Sequence, residues 1–96
     1  MPREEVILDF TKCTTITSIY DEMRTKMEWK DWYGTNLDAL WDILTGLPYR
    51  GDDFVILRKA HYDDFTVAVN KICTLFLEAQ EEYKQITVSI RYSGNL

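Results

Sequence analysis

The sequence predicts an α/β fold, a three-stranded parallel sheet packed with helices. Three short apolar runs, Val6 to Phe10, Phe54 to Leu57 and Ile86 to Ile90, are rich in the β-branched and aromatic residues that suit strands. The first two lack clean polar alternation, as expected for strands covered on both faces. Helical patterns fill both gaps, and right-handed crossovers between the strands then make the sheet parallel. Strand order stays open at this level.

Between the first two strands, Ser18 to Met27 carries Ile19, Tyr20, Met23 and Met27 on one helical face, with Thr17 as its cap. A second helix is expected from Leu37, after Asn36 as N-cap, to Gly46, with Pro48 just beyond. Between strands two and three, Phe65, Val69, Ile72, Phe76, Ala79 and Tyr83 keep a 3.6-residue period over one long helix.

Ninety-six residues with 46% hydrophobic and 14% aromatic content can bury one ordinary core but not two, so a single domain over 1–96 is expected. The sequence contains no repeat, linker or low-complexity tract. Sixteen acidic against eleven basic side chains leave a formal net charge of -5. That balance disfavours direct binding to nucleic acid and favours a basic protein partner. Cys13 and Cys73 lack the C-x-x-C spacings of zinc or redox sites and are read as reduced and buried. The charged N-terminal stretch is unlike a signal peptide, and no segment approaches the ~18 apolar residues of a membrane span. A cytoplasmic protein without membrane contact is expected.

On the wheel of residues 37–46, Leu37, Leu40, Trp41 and Leu44 form the expected core stripe. Asp38, Asp42 and Thr45 form the stripe beside it. Two acids at i and i+4 cost an isolated helix roughly 0.2–0.5 kcal/mol. Asp38 has a local explanation, because the helix dipole stabilises an acid in the first turn. Asp42 sits mid-helix, beyond that field and in a residue type of poor helix propensity, which points to a role outside the helix.

Trp41 borders both stripes, so it serves the core, the acidic face, or both. Upstream, Trp29, Trp32 and Tyr33 gather three aromatics within five residues, next to Gly34. Aromatics bordering a compact charged patch are what protein interfaces use as anchors. In the last helix Glu78 and Glu82 form another i, i+4 pair off the apolar face, with Gln80 and Glu81 further round. Such acids form an ordinary solvated face unless Glu78 turns toward Asp38 and Asp42. In that case the combined field would resemble a short row of phosphates and attract an RNA-binding groove.

The segment Tyr33-Gly34-Thr35-Asn36-Leu37-Asp38-Ala39-Leu40-Trp41-Asp42-Ile43-Leu44-Thr45-Gly46 resembles the signature of the barstar family, intracellular inhibitors of barnase-type secreted ribonucleases. Phe76-Leu77-Glu78-Ala79 with Glu82 resembles the family's last helix, and Ile86-Thr87-Val88 its final strand. The N-terminal third matches by pattern alone. The resemblance implies a barstar-like fold and a one-to-one complex in which the aspartate helix and its preceding loop occlude the nuclease active site.

Carried over by residue, Asp38 and Asp42 would meet the Arg, Lys and His groups that hold RNA phosphate, with Asp42 as central anchor. Trp32 would pack on the catalytic histidine, and Tyr33, Asn36 and Trp41 are further candidates for the partner-binding surface. Thr45 and Gly46 would line the edge, and Glu78 and Glu82 would add charge from the neighbouring helix. No cofactor or metal is implied. Thr35 stands where the family has an acid, Ile43 a cysteine and Leu47 an aromatic, and the tail Arg91 to Leu96 runs past the usual end. These departures bear on which nuclease is bound.

An enzyme is a poor alternative. His61 is a single histidine, neither cysteine has an evident base, and the sequence lacks a phosphate loop and H-E-x-x-H spacing. A divalent ion between Asp38, Asp42 and Glu78 would need those acids to converge. Two binding alternatives remain: a non-inhibitory interaction module of the same fold, and an immunity protein against a different basic nuclease toxin.

Overall fold

The computed structural model describes residues 4–27, 29, 34–46, 52–60 and 62–93. Strand β1 (Glu4–Asp9) leads into helices α1 (Ile16–Lys26) and α2 (Leu37–Thr45). They are followed by β2 (Asp52–Lys59), α3 (Thr66–Glu82) and β3 (Thr87–Ser93). The strands form one parallel sheet in the order β1-β2-β3, with Val6 beside Phe54 and Phe54 beside Val88. The predicted α/β architecture is therefore the one present.

The strand ends differ from expectation. Phe10 lies past β1, although its N–H still donates to the Leu57 carbonyl at 2.9 Å. At the other edge, β3 begins one residue late and runs on through Arg91, Tyr92 and Ser93, which pair with Leu57, Arg58 and Lys59. Part of the expected tail is thus sheet, because β2 is itself longer than its apolar run and offers those partners.

Buried residues of all three helices share one core with Val6, Leu8, Phe54 and Ile56, which lie on a single face of the sheet. Successive crossovers of one hand, each moving over by one strand, set their helices on the same face. Coverage of both faces accordingly fails for β1. Val6 and Leu8 are buried while Ile7 between them is 42% exposed, whereas β2 is buried at Phe54, Val55 and Ile56 in succession.

Helix α1 starts earlier than predicted. Its N-cap is Thr15, not Thr17: the Thr15 hydroxyl accepts from the Ser18 N–H at 2.9 Å, and the Ser18 hydroxyl accepts in return from the Thr15 N–H at 3.0 Å. This reciprocal cap satisfies two backbone donors at once, so it wins over Thr17 inside the first turn. The long helix keeps its predicted face, with Val69, Ile72, Phe76 and Ala79 buried, and Phe65 and Tyr83 packing partly against them.

Candidate functional site

Helix α2 begins where its sequence directs. Asn36 has extended backbone angles, and its side-chain oxygen accepts from the Ala39 N–H at 2.8 Å, so this side chain already serves as the cap. Around the helix, the buried stripe is rotated relative to the one expected. Ala39, Leu40, Ile43 and Leu44 are buried, while Leu37 and Trp41 are half-buried and only flank the core. Leu37 and Trp41 lie on the side of α2 turned toward α3, where the two helices meet across a groove and do not close over them.

Asp38 and Asp42 are both exposed on α2. Neither forms an ion pair or side-chain hydrogen bond within the described structure. The Thr45 hydroxyl donates back to the Trp41 carbonyl at 2.8 Å, tying the last turn together at the edge of this face. Gly46 ends the helix without the left-handed conformation common at such caps, at φ -82°. A Cβ there would lie 2.6 Å from the Asp42 carbonyl oxygen, so the glycine answers to a close approach of backbone.

Between α2 and α3 runs a groove of about 480 Å³ lined on one wall by Leu37, Asp38 and Trp41. Val67, Lys71, Thr74 and Glu78 contribute from the other helix, with Asn70 and Leu75. The structure thus brings Glu78 to the same groove as Asp38 and Trp41. Asp42, Thr45, Gly46 and Glu82 are not among its lining residues, and Glu82 is exposed further along α3. Among the described residues no three His, Cys, Asp or Glu side chains converge as a metal cage would require.

Of the aromatic cluster, Trp29 belongs to the core. It is buried, meets Tyr20 edge to face at 5.9 Å between ring centroids, and donates its indole N–H to the Gly34 carbonyl at 3.2 Å. It is therefore no exposed anchor; it ties Gly34, just before α2, to the core beside α1. Trp32, Tyr33 and His61 lie outside the described residues.

Sequence reasoning passed over Arg58. It is 7% exposed on the core face of β2. Its guanidinium donates to Asn70 Oδ1 at 2.6 Å, approaches Cys73 Sγ at 3.6 Å, and lies 5.3 Å from the Tyr92 ring centroid. Its buried Nε has no hydrogen-bond partner among the described residues. Nothing in the local apolar pattern marked an arginine at the end of a strand as buried. Cys13 and Cys73 are both buried and form no disulfide, and burial pushes both thiols above their ordinary range. Among the described residues no helix is long and apolar enough to cross a membrane.

The family model described as Barstar (barnase inhibitor) matches residues 3–93. A Bacillus subtilis (strain 168) protein named "Putative ribonuclease inhibitor YrdF" is 32% identical over 85 residues, covering 83% of this chain and 89% of that one.

Proposed function

The chain belongs to the barstar family, and from that premise we propose that it is an intracellular protein inhibitor of a barnase-type ribonuclease. In this reading it binds the nuclease one to one and covers the active site with α2 and the loop before it. The observation that carries it is the pair Asp38 and Asp42, exposed side by side on α2 with no partner among the described residues to neutralise them. An RNA-binding site is lined by cations placed for phosphate, and two carboxylates one helical turn apart can replace two phosphates there. The rest of α2 keeps that pair in place. Leu40, Ile43 and Leu44 lock the helix to the core, Asn36 starts it, and the close approach at Gly46 ends it.

Inhibition of this kind needs no catalytic group in the inhibitor, so the chain acts by occlusion and not as an enzyme. Trp32 and Tyr33 would supply apolar area from the loop, and Trp41, Thr45 and Gly46 the border of the acidic face. Glu78 would add a charge from α3, with Glu82 at the periphery.

The test is a titration of RNA cleavage by a barnase-type ribonuclease with the purified chain, run beside its Asp42→Ala variant. Stoichiometric inhibition that the variant loses is the expected result. Undiminished cleavage at a molar excess of the wild-type chain would sink the reading.

A further inference from the structure

We propose that the groove between α2 and α3 reads two charges of opposite sign on the ribonuclease, a basic side chain at its Asp38 and Glu78 end and an acidic one at its Lys71 end. The proposal rests on the inhibitor reading above and adds to it the chemistry of the partner's surface and a residue that selects it.

The α3 wall of the groove is the stripe Val67, Lys71, Thr74 and Glu78, at steps of four, three and four residues. Lys71 and Glu78 are seven residues apart, about 10 Å along the helix axis, too far for a direct pair. Asp38 lines the opposite wall. All three charged side chains share one groove, yet none forms an ion pair with a described residue. Charges of both signs that do not neutralise one another leave the groove with two poles, and a complementary surface must carry the reverse pattern.

A second observation strengthens the positive pole. Asn70, next to Lys71, is exposed at the groove and has its Oδ1 engaged by Arg58. What remains for a partner is its amide N–H, a donor. Arg58 is buried and forms no ion pair with a described residue, so its charge adds positive field at this end. Arg58 is a positioning residue in this account, acting through Asn70. The Lys71 end thus presents an ammonium and an amide donor together, which suits a carboxylate.

The sign of one substitution decides the matter. Against a uniformly basic nuclease face, Lys71→Glu adds an acid to an acidic surface and tightens the complex. Against a face with an acid at that point, the same change sets like charges together. Affinity for a barnase-type ribonuclease, measured for the full chain, is expected to weaken by about tenfold or more in Lys71→Glu. Reversing the charge of one acidic residue on the nuclease should then restore it.

Arg58→Met and Asn70→Ala should each weaken binding and together weaken it no further than either alone, as expected when Arg58 acts through Asn70. Lys71 is exposed, so its thermal unfolding should match the wild type. Should Lys71→Glu not fold, Lys71→Met poses the same question of sign. Tighter or unchanged binding, or weakening that no reversal on the nuclease repairs, overturns the proposal. If that happens while Asp42→Ala still abolishes binding, the inhibitor reading stands; if the wild-type chain does not bind at all, both fall.

Discussion

Asp42 stands exposed in the middle of α2, beyond the dipole field that stabilises Asp38, and Glu82 stands equally exposed near the end of α3, away from the groove. If Asp42 is the buried anchor of a complex, its removal strands a guanidinium or ammonium of the nuclease out of water. Such a broken pair costs about 3–5 kcal/mol. A Glu82→Ala change at a solvated rim should cost about 1 kcal/mol or less. Comparing the two dissociation constants checks this, and equal losses would remove Asp42 from its central place. Gly46 makes a separate prediction about stability. Because a Cβ would sit 2.6 Å from the Asp42 carbonyl oxygen, Gly46→Ala must shift backbone, at a cost of about 1–3 kcal/mol in a urea titration. An unchanged midpoint would mean that the last turn of α2 yields freely.

Elements in this fold are joined by turns that rely on carboxylates. Asp9, at the end of β1, accepts from the Thr11 hydroxyl at 2.5 Å and from the Thr11 N–H at 3.0 Å. These bonds, led by the hydroxyl, hold its carboxyl below the usual 3.8 despite partial burial. Asp63, before α3, is lowered chiefly by the Phe65 N–H and then by Lys59. A carboxylate with a depressed folded-state pKa contributes stability that is complete above its unfolded value and is lost as pH falls through the folded one. Stability should therefore drop as pH descends from about 4, near the ordinary carboxylate pKa. An Asp9→Asn, Asp63→Asn double variant should lose less between pH 7 and pH 3 than the wild type. Urea midpoints at the two pH values measure it, and parallel losses would place the acid sensitivity elsewhere.

The helices pack on one face of the sheet, and Asp38, Asp42, Glu78, Glu81 and Glu82 stand exposed on α2 and α3. With a net charge of -5, encounter with a basic nuclease should be charge-steered. The pairing of barnase with barstar is the reference case for such steering, so the expectation comes with the family. Screening lengths shrink from about 10 Å at 0.1 M salt to about 3 Å at 1 M. The association rate should fall steeply across that range while the dissociation rate changes little. An association rate indifferent to salt would instead indicate an apolar contact, as a non-inhibitory interaction module of this fold would make.

Much of this was legible in the chain itself. Strand and helix identity follow from local period and residue type, so the α/β class, the start of α2 at Asn36, its stop at Gly46 and the buried face of α3 could all be read from residues close in sequence. The pairing of Asp38 with Asp42 could be read for the same reason, since i and i+4 share a helix face whatever surrounds it. The features settled by packing involve residues far apart. The rotation that leaves Trp41 and Leu37 half-buried depends on where α3 lies, the burial of Trp29 on its contact with Tyr20, and the extension of β3 on the length of β2. The burial of Arg58 depends on α3 and Tyr92, and the groove that sets Glu78 and Lys71 opposite Asp38 exists only once two helices are side by side. Local rules act over one or two turns of chain, and each of these features is fixed by packing between segments tens of residues apart.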